Sequence, residues 1–196
     1  MMDILQLKVS LNDSRPAIWR RIQLSDTSTF ADLHNAIRDS MGWDGSHLHG
    51  FAFEPKNTKR PILIGPLSEN SFIETLPEDK QLVCNWLGKK SKQCIYTYDY
   101  GDGWDHTVLL EKVLPFEPNV VYPRCVAGKR ACPPEDSGGM WGYRRNLEIM
   151  KYPKHEEYEE TLEWMGEDFD PEEFDPAAVS YSGSVEAYSP WVDGEE

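Results

Sequence analysis

Two runs of this chain concentrate the side chains that can do chemistry. Tyr98-Asp-Tyr-Gly-Asp-Gly-Trp-Asp-His106 is followed nineteen residues later by Cys125-Val-Ala-Gly-Lys-Arg-Ala-Cys-Pro-Pro-Glu-Asp-Ser-Gly-Gly139. Together they hold five carboxylates, one imidazole and two thiols among glycines and aromatic anchors, more than a hairpin and a loop need for folding. A carboxylate beside an imidazole orients a general base or a metal-bound histidine. Imidazole and thiolate are borderline-to-soft ligands that suit a zinc-like ion. The candidate catalytic residues are therefore Asp99, Asp102, His106 and Asp136. The candidate metal ligands are His106, Cys125, Cys132, Glu135 and Asp136, with His47 and His49 as a competing pair. Six residues separate Cys125 from Cys132, wider than the spacing of a zinc ribbon, so further ligands must come from elsewhere. No nucleophile elbow, phosphate-cradling glycine loop or dinucleotide fingerprint is present, so no reaction class follows.

The chemistry of the first run depends on hairpin register. A two-residue Asp102-Gly103 turn places Asp99 opposite His106, whereas a three-residue Gly101–Gly103 loop places Tyr98 there. A one-residue slip exchanges the faces of one strand relative to the other, so only the first register pairs carboxylate with imidazole. The alternation of His47-Leu-His-Gly-Phe-Ala-Phe53 reads as a strand and puts His47 and His49 on one side.

The elements around these runs are legible from periodicity. Leu5, Leu7, Val9 and Leu11 alternate with polar residues, and Ile18–Leu24 resumes the pattern after turn chemistry at residues 12–16. Strands are expected near 4–11, 17–24, 47–53, 94–100 and 104–113, with a short one at Ile62–Ile64. Phe30, Leu33, Ile37 and Met41 predict an amphipathic helix over 30–41, with His34 beside its apolar stripe. Thr29 with Asp32 caps its start and Gly42 its end. A short helix near 82–87, helices near 140–151 and 156–165, and a last one over 171–178 follow. Residues 115–139 read as loop, where Pro133-Pro134 stiffens the chain and Gly138-Gly139 permits close backbone approach. No βαβ rhythm appears, so the fold class is α+β, a single domain with a mainly antiparallel sheet packed by several helices. The expected division is a domain over 1–179 and an acidic, loosely attached tail over 180–196, which Tyr188 and Trp191 could dock.

Charge narrows the partners. Residues 151–196 hold fifteen acids against Lys151 and Lys154, while residues 1–150 carry 19 acids and 18 bases. This near-neutral body with an acidic end repels phosphate backbones, and the Arg20-Arg21 pair does not reverse that. Uninterrupted apolar runs are too short for a membrane span, and Met1-Met-Asp-Ile-Leu-Gln6 lacks the basic start of a signal peptide. A cytoplasmic protein is expected, with Cys84, Cys94, Cys125 and Cys132 as thiols or ligands, not disulfides.

Several segments carry a family resemblance. Ile18-Trp-Arg-Arg-Ile22, Leu33-His34, Met41-Gly-Trp43 with His47-Leu-His49, and Tyr98–His106 recur in order. Tyr122-Pro-Arg-Cys125 through Pro133-Pro-Glu-Asp136, Gly138-Gly139, Gly142-Tyr143, Asp170-Pro171 and Phe174-Asp175 complete the set over about residues 4–178. This pattern resembles the plasmid pRiA4b ORF-3-like family. The resemblance implies that the position of Ser137 is often a third cysteine, so an all-thiolate site is weakened here. Some members are labelled resolvase-like or insertion-sequence passenger proteins. A serine recombinase needs an activated serine among arginines and a basic DNA-binding region, and this chain offers neither. Two function classes remain: an uncharacterised domain binding a small ligand or a protein through these runs, and a metal-assisted or acid/base hydrolase using His106 with Asp99, Asp102 and Asp136. A stoichiometric ion, zinc being the candidate, favours the second.

Overall fold

The computed structural model describes residues 2–54, 60–67 and 74–182. Among them the chain runs β1 (Asp3–Leu11), β2 (Trp19–Ser25), α1 (Phe30–Met41), β3 (His49–Phe53), β4 (Ile62–Gly65) and β5 (Thr75–Pro77). It continues with β6 (Gln93–Tyr98), β7 (Trp104–Pro115), β8 (Arg124–Lys129), α2 (Gly139–Ile149) and α3 (Tyr158–Met165). The strands form one sheet in the order β5-β4-β3-β6-β7-β1-β2-β8, antiparallel at every step except β4 to β5. The chain is α+β, with three α-helices among the described residues.

α1 forms where its sequence says it should. Thr29 accepts from the Asp32 backbone while the Asp32 carboxylate accepts from the Thr29 backbone, so two otherwise unpaired N–H groups are satisfied at once. Gly42 closes the helix at φ 87°, a left-handed conformation that costs glycine little. Phe30, Leu33, Ile37 and Met41 are all buried, each stabilising the helix–sheet contact by about 1.5–3 kcal/mol. His34 is buried with them, not beside them, and joins Tyr96 Oη at 2.8 Å.

The two arginines of β2 part company because successive side chains take opposite faces. Arg20 goes inward with Ile22 and Leu24. Arg21 goes to the polar face, where it makes a two-pronged contact with Glu111, and Gln6, Gln23 and Arg124 extend that network.

Three local expectations need correction. The segment expected as loop over 115–139 contains β8, an edge strand pairing with β2, whose mixed burial hides its alternation. The helix expected over 171–178 is a single 3-10 turn at Pro176–Ala178, because Asp170 and Asp175 capture the backbone N–H groups of Glu172 and Ala177 instead. The helix near 82–87 is likewise a 3-10 turn, Val83–Asn85. At the expected tail boundary Tyr181 packs against the core, and Ser182 bonds the Asp39 carboxylate. Tyr188 and Trp191 lie outside the described residues.

His106 and His34 make the fold acid-sensitive. Burial lowers His106 to about 4, against the pull of the Tyr96 and Trp104 carbonyls. Burial, then the charges of His49 and Arg38, lowers His34 to about 3. An unfolded chain protonates these rings near pH 6.5, so their neutral burial stabilises fully above that value and progressively less as pH falls toward 4 and 3. The contribution of His106 lost by pH 4 is roughly 3 kcal/mol. We expect thermal stability to drop steeply between pH 6.5 and 4. His106→Leu should flatten that drop while changing the pH 7 melting temperature little. Parallel pH profiles for the two proteins would show that His106 carries no such load.

Candidate functional site

The register of the β6–β7 hairpin decides where its carboxylates go, and it is neither of the two expected. Tyr98 pairs with Trp104 and Tyr96 with His106, leaving a five-residue loop over 99–103. Asp99 at φ 55° and Gly103 at φ 67° make that loop by turning left-handed, a conformation aspartate and glycine tolerate best. Asp99 thus lies in the loop, three residues beyond Tyr96, the residue that stands opposite His106. Its side chain accepts from the Gly101 backbone at 2.8 Å and faces away from the β7 histidine toward His47.

His106 itself is fully buried, with Trp43 edge-on at 5.4 Å and Tyr96 at 5.5 Å between ring centroids. Neither ring nitrogen meets hydrogen-bond geometry with a partner among the described residues, although the Tyr96 and Trp104 carbonyls are near enough to favour the charged form. His106 is thus packed in the core against Trp43 and Tyr96.

Above it the two runs do meet. Asp102 accepts from the Gly138 backbone at 3.0 Å, and its own carbonyl lies so close that a Cβ on Gly139 would stand 2.5 Å away. Glu135 has both carboxylate oxygens engaged, one by the Tyr98 hydroxyl and one by the Asp44 backbone at 3.1 Å. Burial and that Glu135 contact push the Tyr98 phenol up to about 12, so it remains a protonated donor. Ser137 is buried and donates to the Pro134 carbonyl at 2.5 Å, which closes the second loop on itself. Asp102, Glu135 and Ser137 therefore act as clasps.

His47, Asp99 and Asp136 form a separate cluster. His47 Nδ1 lies 3.6 Å from Asp99 and Nε2 lies 3.5 Å from Asp136, so the ring stands between two carboxylates. Their ligating atoms lie within 4.8 Å of one another, and no other set of three or more His, Cys, Asp or Glu side chains does so among the described residues. The Asp136 side chain is 76 % exposed, and its backbone sits at φ 57°. His47 lies just before β3 begins, with its ring edge-on to Tyr98 at 5.7 Å between centroids. His49 instead stacks on His34 with ring centroids 3.3 Å apart and joins Glu78 at 2.8 Å.

The thiols stand apart from this group. Cys125 donates to the Ala127 carbonyl at 3.4 Å, and burial pushes its thiol up. Burial pushes Cys132 up to about 12, so both are neutral near pH 7. Neither belongs to the cluster around His47, and all four cysteines are free. Sequence reasoning missed Tyr98 and Trp43 as positioning groups, since a buried aromatic looks the same whether it fills a core or braces a site. It named His47 only as half of a pair with His49. The turn residues Asp44-Gly-Ser46 just ahead of His47 are the signal that could have separated the two.

A mostly antiparallel eight-stranded sheet carrying a cluster of one histidine and two carboxylates on its loops defines the class: an α+β protein whose candidate site lies on loops. The chain belongs to the plasmid pRiA4b ORF-3-like protein family, whose profile matches residues 3–178. It is 32% identical over 184 residues to the uncharacterized protein y4hQ of Sinorhizobium fredii, covering 91% of this chain and 87% of that one. It also resembles the crystal structure of MM3350, a protein of unknown function from Methanosarcina mazei Go1. There the identity is 45% and the TM-score 0.85, over 92% of this chain and 99% of that chain. No helix among the described residues is long and apolar enough to cross a membrane.

Two glycines test how the loops are held. Gly103 and Gly139 share a φ of 67°, but a Cβ on Gly103 meets nothing within 4 Å. We expect Gly103→Ala to cost about 1 kcal/mol from backbone strain alone. Gly139→Ala should cost more, lowering the melting temperature by at least about 5 °C, because it pushes Asp102 away as well. Equal losses would show that the close approach of the two loops is incidental.

Proposed function

We propose that this protein binds a ligand in the cleft between the 99–103 loop and the 133–139 loop, and that the ligand includes a divalent cation. The observation that carries the reading is the convergence of His47, Asp99 and Asp136 from three separate segments, with ligating atoms within 4.8 Å. A tetrahedral shell of ligands at ~2.1 Å has edges of about 3.4 Å. Closing to that size needs a shift of about an ångström, which the exposed Asp136 side chain can make by rotation. One imidazole and two carboxylates suit zinc or manganese. Three protein ligands leave room for water, so metal-assisted hydrolysis of a small substrate is the chemistry such a site supports. Acid/base catalysis centred on His106 has no support, because its ring is sealed beneath Trp43 and Tyr96. The concentration of carboxylates favours cations and disfavours nucleic acid.

Titration calorimetry with Zn2+ and Mn2+ tests this. We expect one ion per chain, and at least tenfold weaker binding in Asp99→Asn and in Asp136→Asn. Asparagine tolerates the left-handed backbone of both positions, so the melting temperatures should stay close to the parent's. No stoichiometric ion would remove the cation from the reading. Binding kept in both variants but lost in Cys125→Ala and Cys132→Ala would move the ion to the thiols.

A further inference from the structure

A concavity of about 480 Å³ lies between the end of α1, the turn at residues 131–132 and the segment 168–180. Its floor is Arg20, 1% exposed although charged. Arg20 Nε donates to the Ser40 carbonyl at 2.7 Å, and Nη1 donates to the carbonyls of Trp19 at 3.0 Å and Lys129 at 3.2 Å. Nη2 has no hydrogen-bond partner among the described residues, and no carboxylate there lies within ion-pair distance of the guanidinium. The Phe174 ring covers one face of the guanidinium at 3.6 Å. A buried cation with no carboxylate partner is costly, and the two N–H groups of Nη2 remain to donate to one.

The mouth of the cavity has the opposite charge. Asp170 and Asp175 are occupied in capping Glu172 and Ala177, and Asp39 is bonded to Arg38 and Ser182. Asp168 and Glu173 are exposed and have no partner among the described residues. The walls between floor and rim are apolar: Met41, Phe169, Phe174 and Val179. A simple anion attracted to Arg20 is repelled at this rim, and a simple cation held at the rim leaves Arg20 unpaired. A molecule bearing both charges satisfies both ends.

We propose that this cavity binds a small zwitterion with an apolar side chain, of the α-amino acid type. Its carboxylate meets Arg20 Nη2, its ammonium faces Asp168 and Glu173, and its side chain lies against Met41 and Phe169. The site is independent of the His47 cleft, and nothing in the cation reading is needed for it.

Calorimetry on the full chain with three probes tests the proposal: L-leucine, 4-methylpentanoate, which lacks the ammonium, and 3-methylbutylamine, which lacks the carboxylate. L-Leucine should bind once per chain, with both truncated probes at least tenfold weaker. Asp168→Asn combined with Glu173→Gln should weaken L-leucine at least tenfold and leave 4-methylpentanoate unchanged or tighter. These rim positions are exposed, so the variant folds even if Arg20→Gln does not. Asp99→Asn in the cleft should leave L-leucine binding unaltered, which separates this site from the other. No L-leucine binding at millimolar concentration overturns the proposal. So does equal binding of the amine, which would need only the acidic rim, or of the carboxylate, which would need only Arg20.

Discussion

The Trp43 indole is where three distant pieces of chain are made to meet. Its Nε1 donates to the Pro133 carbonyl at 3.0 Å, its face stacks on Tyr98 at 4.7 Å, and its edge rests against His106. The donor satisfies a carbonyl that a proline-stiffened loop would otherwise bury unpaired, so the contact contributes through the desolvation it avoids as well as the bond it makes. Trp43 follows directly on the Gly42 cap, so the helix end sets its position, and it in turn sets the height of the 133–139 loop above the sheet. Tyr98 and Glu135 then lock that loop to the hairpin. Asp99 and Asp136 can approach His47 only because these contacts hold the two loops together.

Desolvation sorts the imidazoles into separate roles. His106 and His34 lie where a charge is disfavoured, and each is held neutral well below the ordinary range. His49 is tied to Glu78 at the floor of its strand. His47 alone stands between two carboxylates near the surface, with a quarter of its side chain exposed. The same burial that makes the sheet stable therefore keeps His106 and His34 neutral, whereas His47 sits on a loop beside two carboxylates. The Arg20 cavity follows a similar logic from the opposite sign, since a β2 side chain destined for the interior by strand alternation carries its charge with it.

Much of the frame was legible in the chain. Leu5 to Leu11, the Phe30–Met41 stripe and the capping pair Thr29 and Asp32 each state their element locally, because periodicity and caps depend on neighbours only a few residues away. The hairpin was legible but its register was not: Asp102-Gly103 signals a tight turn, yet the loop widens because Asp99 also turns left-handed, which is set by contacts to Leu48 and Gly101. β8 escaped notice because an edge strand half covered by the 169–182 segment has no clean alternation. At the site, the two runs were identifiable by their surplus of polar residues. Which members reach the cleft was not, since His106 and His47 differ only in depth, and depth is set by packing from Trp43 and Tyr96.

What occupies the space between His47, Asp99 and Asp136 decides whether the chain holds a cation there. Anomalous diffraction at the zinc edge, from crystals of the full chain grown with one equivalent of Zn2+, locates the ion directly. The expected result is one strong peak within about 2.2 Å of a His47 nitrogen and of carboxylate oxygens of Asp99 and Asp136. A peak at Cys125 or Cys132, or none in the cleft, contradicts it.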